Sequence, residues 1–131
     1  MSFSNYSELK ILDHILGVAT FSAPAGVYVA LHTGDPGEDG TASEVSSGGG
    51  SAYARTSLAS KFSAAASGSS SNTGSITFPV VAVAWGTITH FSIWDAASAG
   101  NCLFVGALTA SRSVPSDLCA IRSAAPSLSV K

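Results

Sequence analysis

Charge is scarce in this sequence. Six Lys+Arg and eight Asp+Glu in 131 residues make 11% charged, under half of the ~25% usual for soluble domains. The formal charge is −2 and no basic run occurs, which argues against nucleic-acid binding, since several phosphates would have to be neutralised. Long apolar runs are missing too. The longest candidate, Phe78 to Trp85, is eight residues long and contains Pro79, whereas a spanning helix needs about 20 apolar residues. No membrane segment is expected. The chain opens Met-Ser-Phe-Ser-Asn-Tyr-Ser-Glu, without the basic start and apolar stretch of a secretory signal, so synthesis in the cytoplasm is expected. Cysteine is limited to Cys102 and Cys119, 17 positions apart. In a reducing compartment they are expected unpaired, and a zinc site would need further ligands at suitable spacing. Both thiols read as buried small hydrophobes.

What fills the chain is Ser, Ala and Gly, within 46% hydrophobic residues. The length suits one domain, and so few charges on an apolar chain suggest surfaces covered by partners. Residues 4–18 read as the one helix. Ser4 or Asn5 can cap it, Glu8 lies in the first turn and Gly17 ends it. Leu9, Leu12, Ile15 and Leu16, with Ile11, recur at helical spacing, which makes it amphipathic.

After Pro24 the chain reads as β-structure. Candidate strands lie at 27–33, 53–58, 75–78, 87–94 and 103–108, bounded by Gly, Pro, Ser and Asn. Residues 34–51 and 63–75 are rich in Gly and Ser and read as flexible loops. The expected fold is a mainly-β, single-domain antiparallel β-sandwich, jelly-roll-like, with one N-terminal amphipathic helix. The helix and its connection occupy 1–23 and the sandwich 24–131. Val29, Leu31, Phe78, Trp85, Phe91, Ile93, Trp94 and Phe104 are the expected core, because large apolar side chains fill interiors before they mark sites. Strict alternation in 87–94 puts Thr87, Thr89, Phe91 and Ile93 on one face, and Ile88, His90, Ser92 and Trp94 on the other.

Little in the sequence points to catalysis. A hydrolytic triad needs Ser, His and a carboxylate to converge; there is no Gly-x-Ser-x-Gly elbow, and His14, His32 and His90 are scattered. His32, ending a strand before an acidic loop, is the one conceivable metal ligand, but a packing role is favoured. Asp35, Glu38, Asp39 and Glu44 lack the order of a calcium loop and read as a solvated loop. Gly48-Gly49-Gly50 lacks the Lys-Ser/Thr of a phosphate loop. No catalytic, cofactor or metal residues are expected, and the chain is read as a non-enzyme. The candidate interface is Leu9, Leu12, Ile15 and Leu16 on the helix with Asp35, Glu38 and Asp39 in the loop.

A longer series of residues carries a resemblance. It runs Leu12-Asp13-His14-Ile15-Leu16-Gly17, Val27 to Leu31 with Thr33 and Asp35-Pro36, Glu44-Val45-Ser46, Tyr53-Ala54-Arg55 and Ser71-Asn72-Thr73. It continues through Ile76-Thr77-Phe78-Pro79, Trp85 to His90, Ile93 to Ala97, Gly100-Asn101 and Gly106-Ala107-Leu108. Over residues 8 to 112 the chain resembles the small tailed-phage proteins labelled tail-fibre or Gp80-like, and departs from them after Leu108. Similar small β-sandwiches serve as capsid cement. The resemblance implies a virion structural protein, made in the host cytoplasm and homo-oligomeric. Its first expected partner is the major capsid protein, in a cement role; tail or baseplate proteins are the alternative. It supplies no catalytic residues to carry over, and the low charge and short apolar runs leave no nucleic acid and no membrane among the expected partners.

Overall fold

The computed structural model describes residues 1–116 together with Arg122–Ser123 and Leu128–Ser129. Strand β1 (Ser2–Phe3) precedes helix α1 (Asn5–Ile15), and β2 (Tyr28–His32) and β3 (Thr56–Ser57) follow. Next come β4 (Ser69–Ser70), β5 (Ile76–Thr77), β6 (Gly86–Trp94), β7 (Cys102–Val114), β8 (Arg122–Ser123) and β9 (Leu128–Ser129). One five-stranded antiparallel sheet, ordered β1-β7-β6-β2-β3, dominates; β4-β9 and β5-β8 form two short ladders. The expectation of a mainly-β antiparallel fold with one short N-terminal helix holds; among the described residues one principal sheet and two short ladders make it up. Cys119 and the ends of the closing strand expected at 127–130 lie outside the described residues.

Local chemistry explains the helix limits. Ser4 is extended, and its hydroxyl accepts from the Ser7 N–H at 3.2 Å, satisfying one of the free donors of the first turn. At the other end Gly17 turns left-handed (φ 71°). Val18 N–H then reaches Asp13 O at 2.9 Å and Gly17 N–H reaches His14 O at 3.2 Å, the paired bonds of a Schellman cap. The chain before the helix is also built in, because Ser2 and Phe3 pair with Val105 and Phe104 as an edge strand.

The central strands are β6, Gly-Thr-Ile-Thr-His-Phe-Ser-Ile-Trp, and β2, Tyr-Val-Ala-Leu-His, rich in the β-branched and aromatic residues that suit a pleated surface. They pair from Tyr28↔Trp94 to His32↔His90. The main core gathers Val29, Leu31, Phe91 and Ile93 from the sheet with Val45, Tyr53, Leu58, Ile76, Phe78, Val81 and Trp85. Tyr53, Phe78 and Trp85 meet with centroids 5.3–6.5 Å apart. A smaller cluster of Ala30, Trp94, Cys102 and Val105 includes the opposite face of β2 and β6. Of the expected core, Phe104 is half-buried: it packs against the main core, and its ring is tilted by 35° to that of Phe3 with centroids 4.7 Å apart.

The alternation expected in β6 also breaks. Ile88 pairs with Arg112 but His90 pairs with Ala107, so Leu108 to Ser111 bulge opposite Thr89. A bulge shifts which side chains face inward, and Ile88, fully buried, joins Phe91 and Ile93 in the main core. Residues 63–75, expected as a flexible connection, have defined pairing. Phe62 faces Asn72 and Ala66 faces Ser69 across a two-residue turn at Ser67-Gly68, both with positive φ, the torsions of a tight hairpin turn.

Gly40 makes a tight backbone approach to the sheet. Its φ is +74°, and a Cβ there would lie 2.5 Å from Cys102 Sγ and 3.1 Å from Trp94. Gly40→Ala should lose roughly 2–4 kcal/mol, combining overpacking with left-handed strain. Gly49→Ala, equally left-handed but with nothing within 4 Å, should lose only about 1 kcal/mol. Denaturant unfolding of the two variants measures the difference; equal losses would contradict the packing described.

Candidate interaction surface

The amphipathic face of α1 points outward. Leu9, Leu12, Ile15 and Leu16 are 65%, 54%, 74% and 66% exposed, and Val18 just beyond is 72% exposed. The helix rests on its own protein through buried Ser7 and half-buried Tyr6 and Ile11. The following connection folds onto the Tyr6 side: Phe21 N–H donates to His14 Nδ1 at 3.2 Å, and the Phe21 ring meets Tyr6 edge-on at 6.4 Å. Glu8, four residues before Leu12, belongs to the exposed leucine side.

The acidic loop adjoins the start of this helix, since Asn5 N–H donates to Glu38 O at 3.3 Å. The two halves of the expected interface are therefore neighbours. Asp35, Glu38 and Asp39 are exposed, and the loop carrying them is firmly shaped. Asp35 Oδ1 accepts from Gly37 N–H at 2.9 Å and Asp39 Oδ1 from Thr41 N–H at 3.2 Å. Pro36 is buried, and Thr33 N–H and Val45 N–H close the loop base at 3.0 Å onto Ser43 O and Leu31 O. The Thr41 N–H holds the Asp39 carboxyl below its ordinary value. Between loop and helix lies an open cavity of about 200 Å³ bounded by Asn5, Tyr6, Asp39, Trp94, Asn101 and Cys102, among others. Burial pushes the Cys102 thiol up to about 11, so it offers no thiolate there.

Behind the loop stands a polar network that sequence reasoning missed. Arg55 stacks on Trp94, its guanidinium carbon 3.7 Å from the ring centroid. Its Nε and Nη2 donate to the two oxygens of Glu44 at 2.9 and 2.8 Å, and its Nη1 donates to Ala99 O at 2.8 Å. Tyr53 OH donates to Glu44 at 3.1 Å and accepts from Leu31 N–H at 3.0 Å. Burial works to raise the Glu44 carboxyl, but the Arg55 bonds and charge and the Tyr53 hydroxyl outweigh it and hold it below its ordinary value. Glu44 had been read only as a member of the loop. The available signal was a lone arginine in a long charge-poor stretch, which folding tends to pair.

His32 and Ser92 are both fully buried. His32 Nδ1 lies 2.8 Å from Ala42 O, a pure acceptor, so Nδ1 carries the proton and donates. Nε2 then accepts from Ser92 Oγ at 2.7 Å, and that oxygen accepts from Trp94 Nε1 at 2.7 Å. A serine on a histidine resembles a nucleophile and its base. Here, however, both lie closed inside the protein, and a backbone carbonyl occupies the place of the orienting carboxylate. Both ring nitrogens are engaged, and no group of His, Cys, Asp or Glu suited to a metal occurs among the described residues. Burial lowers the His32 pKa, with the Ala42 bond opposing it. His90 has its own hydrogen bond, Nδ1 lying 2.8 Å from Thr89 Oγ1.

A family profile described as Gp80, podophage GP4 fiber I protein gp80, matches residues 2–131. It extends past Leu108, where the residue-by-residue resemblance lapses. No curated protein matches the chain.

Two outcomes follow from the network. Removing one partner of this half-buried ion pair leaves the other short of its hydrogen bonds, so Arg55→Met should cost roughly 2–3 kcal/mol. Arg55→Lys, which keeps charge but loses the planar fork, should fall between that and wild type. A loss under about 1 kcal/mol for Arg55→Met in denaturant unfolding would contradict the account. Folding also lowers the His32 pKa below 6.5, so the unfolded chain takes up that proton first as pH falls. Stability from this group is complete above pH 6.5 and declines below it. Glu44 and Asp39, both held low, extend the decline into the carboxylate range. Unfolding across pH should show the upper limb flattened in His32→Gln; an NMR titration giving His32 an ordinary pKa would refute this.

Proposed function

The chain belongs to the Gp80 family of phage virion proteins, and we propose that it is a structural component of a fibre, held to its neighbours by the exposed face of α1. That face carries the proposal. Five large apolar side chains, each more than half exposed over ten residues, form the kind of patch that marks a protein–protein contact. The acidic loop, fixed beside the helix N-terminus, supplies a polar rim, as interfaces usually have.

The role is mechanical and no residue is assigned a catalytic part. The Ser92–His32 pair acts as a brace between β2 and β6. A capsid-cement role, the first expectation from the resemblance, rests on the same exposed face and on nothing more. The family's description as a fibre protein therefore puts the fibre reading first, with the major capsid protein giving way to tail or baseplate proteins as the neighbour.

Quantitative mass spectrometry of purified particles, separated into heads and tails, tests this. The chain should travel with tails at a few to a few dozen copies, and the doubly substituted Leu12→Asp, Leu16→Asp chain should be lost from particles while remaining folded. Hundreds of copies travelling with heads would make it cement. Absence of the wild-type chain from particles would refute both.

A further inference from the structure

The cavity between the start of α1 and the acidic loop has a floor and a rim of opposite character. Its floor is Ser4, Trp94 and Cys102, all buried. Every polar side-chain atom there already has a partner. Ser4 Oγ donates to Cys102 O and accepts from Ser7 N–H, Trp94 Nε1 donates to Ser92 Oγ at 2.7 Å, and Cys102 Sγ donates to Phe104 O at 3.4 Å. The floor therefore offers apolar contact and asks for no hydrogen bond. The rim is exposed Asn5, Asp39 and Asn101 with half-buried Tyr6. Asp39 Oδ1 is held by Thr41 N–H, and Asn101 Nδ2 by Asp95 Oδ2 at 2.8 Å. Asp39 Oδ2 and Asn101 Oδ1 have no partner among the described residues. The rim thus presents open acceptors from the loop and from the start of β7, one of them charged.

Volume sets the size of an occupant. About 200 Å³ falls below the roughly 300–1,000 Å³ of cofactor and small-molecule pockets and suits one inserted side chain. Charge sets its sign. A helix N-terminus by itself favours an anion, but here Asn5 N–H is taken by Glu38 O and Ser7 N–H by Ser4 Oγ. The exposed charges beside it are the carboxylates of Glu38 and Asp39. Among the described residues the only ion pair is Arg55 with Glu44, so neither carboxylate has a cationic partner there. Lys10 holds its ammonium 5.8 Å from the Tyr6 ring centroid, a wall that accepts a cation. A long side chain with an apolar stem and a cationic head matches floor and rim together. Arginine fits better than lysine, because its planar fork donates in several directions at once and packs on aromatic surfaces, whereas an ammonium is a point charge.

We infer that this cavity receives an arginine side chain from a neighbouring virion protein, its stem on Trp94 and Cys102 and its guanidinium on Asp39 and Asn101. That the neighbour is a virion protein rests on the fibre reading; the chemistry of the cavity does not.

Titrating the full chain with N-acetyl-arginine amide, followed by NMR of its backbone amides, tests the cavity's chemistry. Shifts are expected at Asn5, Tyr6, Asp39 and Asn101, with a dissociation constant on the order of 10 mM. The uncharged isostere N-acetyl-citrulline amide should move none of them. Asp39→Asn keeps the oxygen that holds Thr41 and removes the charge, so the response should be lost. Asp13→Asn, which removes a carboxylate further along α1, should leave it intact. An equal response to the citrulline amide, shifts spread over the whole surface, or a response that survives Asp39→Asn would overturn the inference. In particles that contain the wild-type chain, Asp39→Asn should fall at least about tenfold in copy number, with circular dichroism checking its fold. Undiminished incorporation would overturn the inference and leave the fibre reading standing. A wild-type chain that answers to arginine amide but is absent from particles would support the cationic site and refute the fibre reading.

Discussion

The guanidinium of Arg55 is the contact on which the rest of this small fold depends. One face lies on Trp94 of β6, two donors hold the Glu44 carboxylate, and a third holds Ala99 O in the β6–β7 connection. Glu44 in turn accepts from Tyr53, which caps the Leu31 N–H of β2. Four stretches distant in sequence thus converge on one cation. Taking a charge out of water is costly unless it is paired and hydrogen-bonded, and here every side of the fork has a partner. In a chain with so few charges, this pair fixes where the acidic loop ends and how the β6–β7 hairpin closes.

That rigidity has a consequence at the surface. Pro36, Gly40 and the Ala42 carbonyl pin the loop to the sheet, and Glu38 O accepts from the first residue of α1. The helix is therefore held at both ends, by the Ser4 cap and loop contact at one and the Gly17 cap at the other. An eleven-residue helix is too short to persist alone, so these anchors keep it in place while its leucines face solvent. The protomer spends its internal contacts on presenting an apolar face, which suits a part in an assembly better than a molecule that works alone.

Much of this was legible in the sequence, and the reasons it stopped being legible are physical. The helix limits were readable because caps are local: Ser4 and Gly17 act within a few residues. Burial of Val29, Leu31, Phe78, Trp85, Phe91, Ile93 and Trp94 follows from apolar size inside strand-forming runs. Ile88 escaped because the residues bulging between Ala107 and Arg112 lie in the partner strand, where the alternation of β6 cannot reveal them. The hairpin around Ser67-Gly68 escaped because small polar residues suit a flexible linker and a tight turn alike. Arg55 and Glu44 are eleven residues apart and Trp94 far beyond, so their meeting is a property of the sheet order and not of any motif.

The account's central claim is that the α1 face is an assembly surface and not a solvent surface. Electron cryomicroscopy of the intact particle tests it most directly, by locating this chain and asking what lies on Leu12 and Leu16. The account predicts protein density packed against both side chains. A clearly placed chain whose α1 face is open to solvent in the finished particle would contradict it.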